Sequence, residues 1–206
     1  MISCRLCIVR HGETDWNVAG ILQGWSDVPI NDAGRAQAHE LARQLAPHHF
    51  AAVWSSPLIR AMETAEIIAA DLGLPSPRTH DGLKERHFGV IQGIPKSELA
   101  ELNPVLLQQI LKRSPAAHFA GGEDMMPFAD RVLAAVADIA AAALQQGCIG
   151  PLLVITHGWV LDVLTRHTRG LPRHALLGVK PKNGEMLWVE VAGAGSDGSA
   201  LQIACG

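Results

Sequence analysis

Two histidines in this sequence share one local pattern, in which a short apolar run leads, one residue later, into a His-Gly pair. His11 follows the run at residues 6–9, and His157 follows the run at residues 152–155. Such runs are typical of strands that are buried on both faces of a parallel sheet. Residues just past the carboxyl ends of these strands line the ligand crevice of an open α/β sheet. If the two strands are neighbours, His11 and His157 meet in that crevice.

Two arginines are placed to reach the same crevice. Arg10 precedes His11, and Arg60 lies near the start of a helix that is predicted to follow a short strand. A phosphoryl group in transfer spreads negative charge over three oxygens, so positioning and positive charge do most of the catalysis. Guanidinium groups bind phosphate oxygens in pairs and stay charged at any working pH. A neutral imidazole, kept neutral by cationic neighbours that lower its pKa, can attack phosphorus and form a phosphohistidine.

Four segments resemble, in order, the signature elements of the histidine phosphatase superfamily, also called phosphoglycerate-mutase-like. They are RHGETDWN at 10–17, SPLIRAMETA at 56–65, LKERHFGVIQG at 83–93 and THG at 156–158. The resemblance implies that His11 is the phosphorylated nucleophile and that Glu85 is the proton donor. It implies that the phosphoryl group and the substrate are bound by Arg10, Arg60, His157 and Asn17, with further candidate contacts from Gln23, Gly24 and Gly158.

A carboxylic acid near the leaving oxygen can protonate it and then accept a proton from the attacking water. Glu85 can do this only when it is partly protonated, which the charge of a bound substrate would favour. Glu13 is an alternative acid by position, although an orienting or loop role suits it better. Residues 84, 86 and 87 are expected to line the rim of the pocket.

Neither a metal nor a cofactor is expected. Cys4 and Cys7 have C-x-x-C spacing, but on a strand this odd separation sends their side chains to opposite faces. No cluster of carboxylates or cysteines with ligand spacing accompanies His11 and His157. Trp159 replaces the small residue expected after Thr-His-Gly in the family, and a tryptophan there is expected to narrow the pocket.

The composition bounds the class of protein. At 206 residues, a single domain spanning 1–206 is expected, with about 94–122 as a helical insertion over the active site. A net charge of -3 gives no general basic field for nucleic acid or a membrane surface. No signal peptide or spanning helix is recognised, so a cytoplasmic location is expected. The expected partner is a small phosphorylated metabolite, and a homodimer is left open.

Helical and strand patterns alternate, which favours an α/β fold. The resemblance implies a three-layer sandwich with a mostly parallel, mixed sheet flanked by helices. Helices are predicted at residues 31–46, 57–72, 95–102, 104–113, 127–146 and 159–167. Strands are predicted at residues 5–9, 52–54, 78–80, 152–155, 186–191 and 201–204, the last two as a hairpin. The second helix is predicted to have a serine cap from Ser55-Ser56, with Pro57 in its first turn.

These observations favour a phosphatase that hydrolyses a small phosphomonoester through a phosphohistidine. The alternative enzyme is a phosphoglycerate mutase, which returns the same phosphoryl group to its substrate. Mutases that need a bisphosphate primer usually carry a longer insertion and a longer tail, so the short segment from 95 to 121 and the chain length favour hydrolysis. A third hypothesis is a phospho-ligand binding module with a dead site, against which the intact set of charged residues argues.

Overall fold

The computed structural model describes residues 3–177, 182–192 and 202–205, in which strands and helices alternate as predicted. The strands are β1 (Ser3–Arg10), β2 (Ala52–Ser55), β3 (Arg78–Thr79), β4 (Leu152–Thr156), β5 (Met186–Ala192) and β6 (Gln202–Cys205). The helices are α1 (Asp15–Val18), α2 (Asp32–Leu45), α3 (Ile59–Asp71), α4 (Lys96–Leu102), α5 (Pro104–Leu111), α6 (Met125–Gln145) and α7 (Gly158–Thr168). Short 3₁₀ helices occupy Ala46–His48, Asp81–Leu83 and Gly89–Ile91.

The described strands form one mixed sheet in the order β3-β2-β4-β1-β5-β6. The first four strands run parallel, and β5 and β6 are antiparallel additions at one edge. Strands β1 and β4 are direct neighbours, with Arg10 opposite Thr156. His11 and His157 therefore leave the sheet side by side at its carboxyl edge.

Helices cover both faces of this sheet, so the fold is the predicted α/β sandwich of three layers. Leu6 and Ile8 belong to a core that contains residues of α6 and α7. Cys7 and Val9 belong to a second core that contains residues of α2 and α3. Cys4 lies in the first core and Cys7 in the second, which confirms that these two side chains point to opposite faces.

Two long helices have the buried faces that their sequences predict. Helix α2 begins after Asn31, whose side-chain oxygen accepts a hydrogen bond from the Gly34 amide at 2.8 Å and caps the first turn. Its apolar residues at helical spacing are buried, namely Ala38, Leu41, Ala42 and Leu45. Helix α6 begins at Met125, before Pro127, and a proline is tolerated in a first turn. Apolar residues at helical spacing are buried in α6 as well, namely Phe128, Val132, Ala135, Ile139 and Ala143.

The predicted start of α3 is wrong by two residues. The helix begins at Ile59 instead of Pro57, and no serine side chain caps it. The Ser56 amide continues the sheet by donating to the carbonyl of Ile155 at 2.9 Å, and Leu58 at the helix cap is still extended. The Ser56 side chain is therefore placed in the site described below.

The hairpin is confirmed for β5 and β6. Leu201, which was predicted to start β6, lies outside the described residues, as do residues 193–199 between the two predicted strands. Helices α4 and α5 occupy the segment at 94–122, and its interpretation as an insertion in a single domain stays a prediction. Within the described ranges, no helix is both long enough and apolar enough to cross a membrane.

Candidate active site

A cavity of about 290 Å³ opens where the chain leaves the carboxyl end of β1. Most of the predicted site residues lie in its wall, namely Arg10, His11, Asn17, Gln23, Gly24, Arg60 and Glu85. The other lining residues are mostly apolar side chains, together with Lys96 and Arg113. The cavity wall therefore combines cationic and apolar side chains.

The ring of His11 is fixed through both of its nitrogens. Its Nδ1 lies 2.7 Å from the carbonyl oxygen of Gly12 and donates a hydrogen bond to it. The Nε of Arg60 donates to His11 Nε2 at 3.3 Å. In the neutral ring the proton therefore sits on Nδ1, and Nε2 carries the lone pair that can attack phosphorus.

Arg60 is buried and is anchored by the loop that precedes α2. Its two terminal nitrogens donate to the carbonyl oxygens of Ser26 at 2.9 Å and Gly24 at 2.7 Å. The Thr64 hydroxyl accepts from the Gly12 amide at 3.0 Å and donates to the Arg60 carbonyl at 2.7 Å. These bonds tie the His11 loop to the first turn of α3, so Arg60 lies at the base of the cavity and not on a remote surface.

His157 lies against His11, with the ring centroids 5.1 Å apart. It is fully buried and is not part of the cavity wall. Its Nε2 is 2.8 Å from the hydroxyl oxygen of Ser56. Its Nδ1 is buried and has no hydrogen-bond partner among the described residues. Of the four residues predicted to converge on one phosphate, Arg10, His11 and Arg60 line the cavity, and His157 stands beside them.

Burial and positive charge keep both imidazoles neutral. Burial, then the charges of Arg60 and Arg10, holds the pKa of His11 well below its ordinary value. Burial, with Arg60 as the strongest charged neighbour, lowers the pKa of His157 in the same way. Burial lowers the pKa of Arg10 and of Arg60 to about 10, so both guanidinium groups remain charged near neutral pH.

Glu85 is held at the cavity wall by its backbone and by one carboxylate oxygen. Its Oε1 accepts hydrogen bonds from the amides of Arg86 at 2.9 Å and Trp159 at 3.3 Å. Its carbonyl oxygen accepts from Trp25 Nε1 at 2.6 Å and from Arg131 at 3.3 Å. The carboxyl group is thus oriented in part by the amide of Trp159, the residue directly after the second His-Gly pair.

Asn17 is positioned by a capping box in α1. The Thr14 hydroxyl accepts from the Asn17 amide at 3.1 Å, and Asn17 Oδ1 accepts from the Thr14 amide at 3.2 Å. Asn183 donates to the His11 carbonyl at 2.9 Å and lies 3.5 Å from the same Asn17 oxygen. Because Oδ1 is engaged, the amide nitrogen of Asn17 is the atom that can donate to an anion in the cavity.

Comparison with known proteins agrees with this arrangement. Residues 6–202 match the model of the histidine phosphatase superfamily (branch 1). The chain belongs to this superfamily. The family inferred from the four sequence segments is therefore confirmed.

Individual relatives in the superfamily include both mutases and phosphatases. Phosphoglycerate mutase-like protein 4 of Arabidopsis thaliana is 36% identical over 80% of this chain and 70% of its own length. The 2,3-bisphosphoglycerate-dependent phosphoglycerate mutase of Cytophaga hutchinsonii is 33% identical over 79% of this chain and 76% of its own. A solved mycobacterial glucosyl-3-phosphoglycerate phosphatase has a TM-score of 0.81 and 27% identity, covering 98% of this chain and 97% of that one.

Sequence reasoning missed a cationic side chain in the cavity wall of this superfamily member. Arg113 forms an ion pair with the buried Asp162 at 3.2 Å and lies 5.2 Å from the ring centroid of Trp159. Burial raises the pKa of Asp162 to about 6, against the opposing effect of Arg113. A signal was present, because Asp162 is a lone carboxylate in an otherwise apolar stretch of α7.

Three residues expected at the pocket rim lie elsewhere, so that expectation is wrong. Arg86 is fully buried and donates to the carbonyl oxygens of Ala117 at 2.6 Å and Glu123 at 2.9 Å. Lys84 pairs with Asp81 at 3.1 Å, and His87 packs against Trp25 with ring centroids 4.9 Å apart. None of the three lines the cavity, because local backbone and aromatic partners hold their side chains.

The remaining predicted residues lie either in the cavity wall or in packed positions outside it. Glu13 accepts a hydrogen bond from the Asn31 side chain at 3.1 Å, which fits a loop role. Gly158 is not in the cavity wall, and a Cβ there would lie 2.6 Å from Arg113 Nη2. Its role in substrate binding stays a prediction, and its contact in the structure is close packing with Arg113. Trp159 lines the cavity, and the narrowing of the pocket by its side chain stays a prediction. Gln23 also lines the cavity and has a buried Oε1 with no hydrogen-bond partner among the described residues.

Within the described part of the chain, no group of three or more His, Cys, Asp or Glu side chains is arranged to hold a metal ion.

Proposed function

We propose that this protein is a phosphatase that hydrolyses a small phosphomonoester through a phosphohistidine on His11. The observation that carries the proposal is the state of His11 Nε2. The Nδ1 proton is held by the Gly12 carbonyl, so Nε2 keeps the lone pair, which accepts a hydrogen bond from Arg60 Nε. His11 lines a cavity whose wall also contains Arg10 and Arg60. A neutral nucleophile beside two fixed cations is what phosphoryl transfer to a nitrogen requires.

The reaction then takes two steps. His11 Nε2 forms a bond to phosphorus while the bond from phosphorus to the leaving oxygen breaks, and Glu85 supplies a proton to that oxygen. Water next attacks the phosphohistidine, Glu85 takes a proton from this water, and the phosphorus–nitrogen bond breaks. Inorganic phosphate leaves, and His11 returns to its neutral state. Arg10 and Arg60 stabilise the charge on the transferring oxygens in both steps.

The cavity supports a small substrate. Its volume of about 290 Å³ lies at the lower end of the range for ligand pockets. The cavity wall also offers apolar side chains for the body of the leaving group, and Lys96 and Arg113 for a polar or anionic substituent. A compact phosphorylated metabolite fits these dimensions better than a phosphorylated protein or nucleic acid.

A phosphoglycerate mutase is the second candidate, and the identity to the mutase of Cytophaga hutchinsonii favours it. A mutase must retain a bisphosphorylated intermediate while it turns over in the site. Such an intermediate needs strong positive charge at the outer wall as well as at the base. The ion pair between Arg113 and Asp162 reduces that charge here, which supports hydrolysis.

The test is a panel of phosphorylated metabolites assayed in parallel for free phosphate and for phosphoryl transfer between positions of the substrate. Release of inorganic phosphate from at least one compact phosphomonoester, with little transfer, is the expected result. Transfer between positions of a phosphoglycerate that exceeds phosphate release would favour the mutase. Neither activity on any substrate, with retained phosphate binding, would favour a binding module.

A further inference from the structure

The contact between Ser56 and His157 joins two buried groups that the proposed reaction does not yet use together. Ser56 follows β2, and its backbone is fixed by the hydrogen bond to Ile155 on β4. Its hydroxyl oxygen is 2.8 Å from His157 Nε2. Both residues are fully buried, so water does not compete for this hydrogen bond.

The direction of the hydrogen bond follows from the partners of the serine. The Ser56 hydroxyl oxygen accepts from the Leu58 amide at 3.3 Å, so the oxygen already serves as an acceptor. Within the described part of the chain, the only acceptor that the structure offers to the hydroxyl proton is His157 Nε2. If His157 donated instead, the buried serine proton would be left without an acceptor, which costs free energy.

The tautomer of His157 follows in turn. A neutral imidazole has one donor nitrogen and one acceptor nitrogen. If Nε2 accepts from Ser56, the proton sits on Nδ1, which is the buried nitrogen with no partner among the described residues. His157 does not line the cavity, but its ring centroid lies 5.1 Å from that of His11. A buried donor without a partner on this neighbouring ring is suited to an anion that is carried by His11.

We propose that Ser56 is a positioning residue, whose hydroxyl donates to His157 Nε2 and thereby holds the proton on Nδ1 as a donor to the phosphoryl group carried by His11. The inference deepens the proposed function and rests on it for the identity of the anion. It assigns the same tautomer, with the proton on Nδ1, to both histidines but gives the two rings different roles. His11 keeps its Nε2 lone pair for attack, whereas His157 presents an N–H for binding.

The tautomer can be measured in the wild-type protein without any ligand. Nitrogen-15 NMR of the histidine rings distinguishes a protonated from an unprotonated nitrogen, and the His157 signals are identified by their loss in His157→Gln. We expect an Nδ1 proton and a bare Nε2 in His157. A proton on Nε2 would overturn the inference, and this outcome requires no serine variant to fold.

Substitution of the serine adds a functional test. Ser56→Ala removes the donor, and Ser55→Ala is the matched control, because the Ser55 hydroxyl is equally buried but donates to the Ser56 carbonyl at 2.9 Å. In Ser56→Ala, we expect His157 to populate both tautomers instead of one. We also expect this variant to bind orthovanadate, an analogue of phosphate in transfer, about tenfold more weakly, as one lost hydrogen bond implies. Ser55→Ala should keep both properties.

An unchanged His157 tautomer in folded Ser56→Ala would contradict the inference. The outcomes for the proposed function are separate. If the wild-type protein shows the Nδ1 proton but hydrolyses no phosphomonoester, the proposed function fails and the role of Ser56 in fixing the ring remains. If it hydrolyses phosphomonoesters but shows an Nε2 proton, the function remains and the role of Ser56 fails.

Discussion

The two strand-His-Gly units share a sequence pattern and lie side by side in the sheet, yet their histidines are held in different ways. His11 is fixed by the carbonyl of its own neighbour, Gly12, and by the guanidinium of Arg60. His157 is fixed by a serine that follows a different strand, β2, and its second nitrogen lacks a partner within the described residues. Equal sequence patterns therefore lead to unequal environments of the two rings, because the partners of each ring come from different parts of the fold.

The largest expected effect is the loss of turnover when a histidine is replaced, and this loss should differ between His11 and His157. His11→Ala should abolish turnover of a nitroaryl phosphate, because the nucleophile is gone. His157→Ala should slow turnover by about 10²–10³, the cost of one lost donor to a developing anion. Steady-state rates of both variants against wild type provide the measurement. Equal losses in the two variants would contradict the distinction between nucleophile and donor.

Glu85 is the proposed leaving-group acid, and its carboxylate accepts a hydrogen bond from the Trp159 amide of the second strand-His-Gly unit. Glu85→Gln should slow an alkyl phosphate by about 10²–10⁴, because that leaving oxygen needs a proton. A nitroaryl phosphate should be slowed much less, because its leaving group departs as an anion. Glu13→Gln is the control, as this carboxylate does not line the cavity. Equal slowing of both substrates by Glu85→Gln would show that Glu85 is not the leaving-group acid.

The two neutral imidazoles should also make stability depend on pH. Their pKa values lie well below the ordinary value in the folded protein, whereas in the unfolded chain they titrate near 6.5. The unfolded chain therefore gains protons as the pH falls below about 6.5, and the free energy of unfolding decreases by up to about 2.7 kcal/mol per pH unit. Asp162 acts in the opposite sense, because its raised pKa of about 6 stabilises the folded state at low pH and this stabilisation is lost as the pH rises through about 6.

Denaturant unfolding between pH 5 and pH 8 would measure this dependence. His11→Gln and His157→Gln should each remove one titrating group. Each should therefore reduce the slope of the free energy of unfolding against pH by about 1.4 kcal/mol per pH unit. His39→Gln is a control, because this exposed ring pairs with Asp71 on the surface. A slope that is unchanged in both buried variants would indicate that the two rings are not held neutral in the folded protein.

The smallest expected effect is the response to a metal chelator. The two histidines could in principle act as a pair of metal ligands and not as nucleophile and donor. Because Arg10 and Arg60 supply the positive charge, turnover should be unchanged after prolonged treatment with a chelator. Loss of activity that an added divalent metal restores would overturn the mechanism.

Much of this arrangement was predictable because it depends on local patterns. The apolar runs at β1 and β4 predict buried strands, and the parallel-sheet rule then brings His11 and His157 to one edge. The placement of Arg60 follows from the turn between a strand and a helix. These inferences use only the period of apolar residues and the direction of the chain.

The remaining features depend on contacts between segments that are distant in sequence. The local sequence predicts Ser56 to be a helix cap, but its amide donates a hydrogen bond to β4, so the residue extends the sheet instead. Arg113 lies in the cavity wall because it packs against α7. Asn183 lies in the cavity wall because the segment before β5 returns to the His11 loop. No short-range pattern encodes these contacts, so the sequence alone does not reveal them.

In the proposed mechanism, His11 and not His157 carries the phosphoryl group. The direct measurement is brief incubation with radiolabelled nitrophenyl phosphate, followed by denaturation and mapping of the labelled peptide. We expect acid-labile phosphate on the peptide that contains His11, absent in His11→Ala and still formed, more slowly, in His157→Ala. Label on His157, or turnover of the substrate with no trapped phosphohistidine in either wild type or Glu85→Gln, would contradict the account.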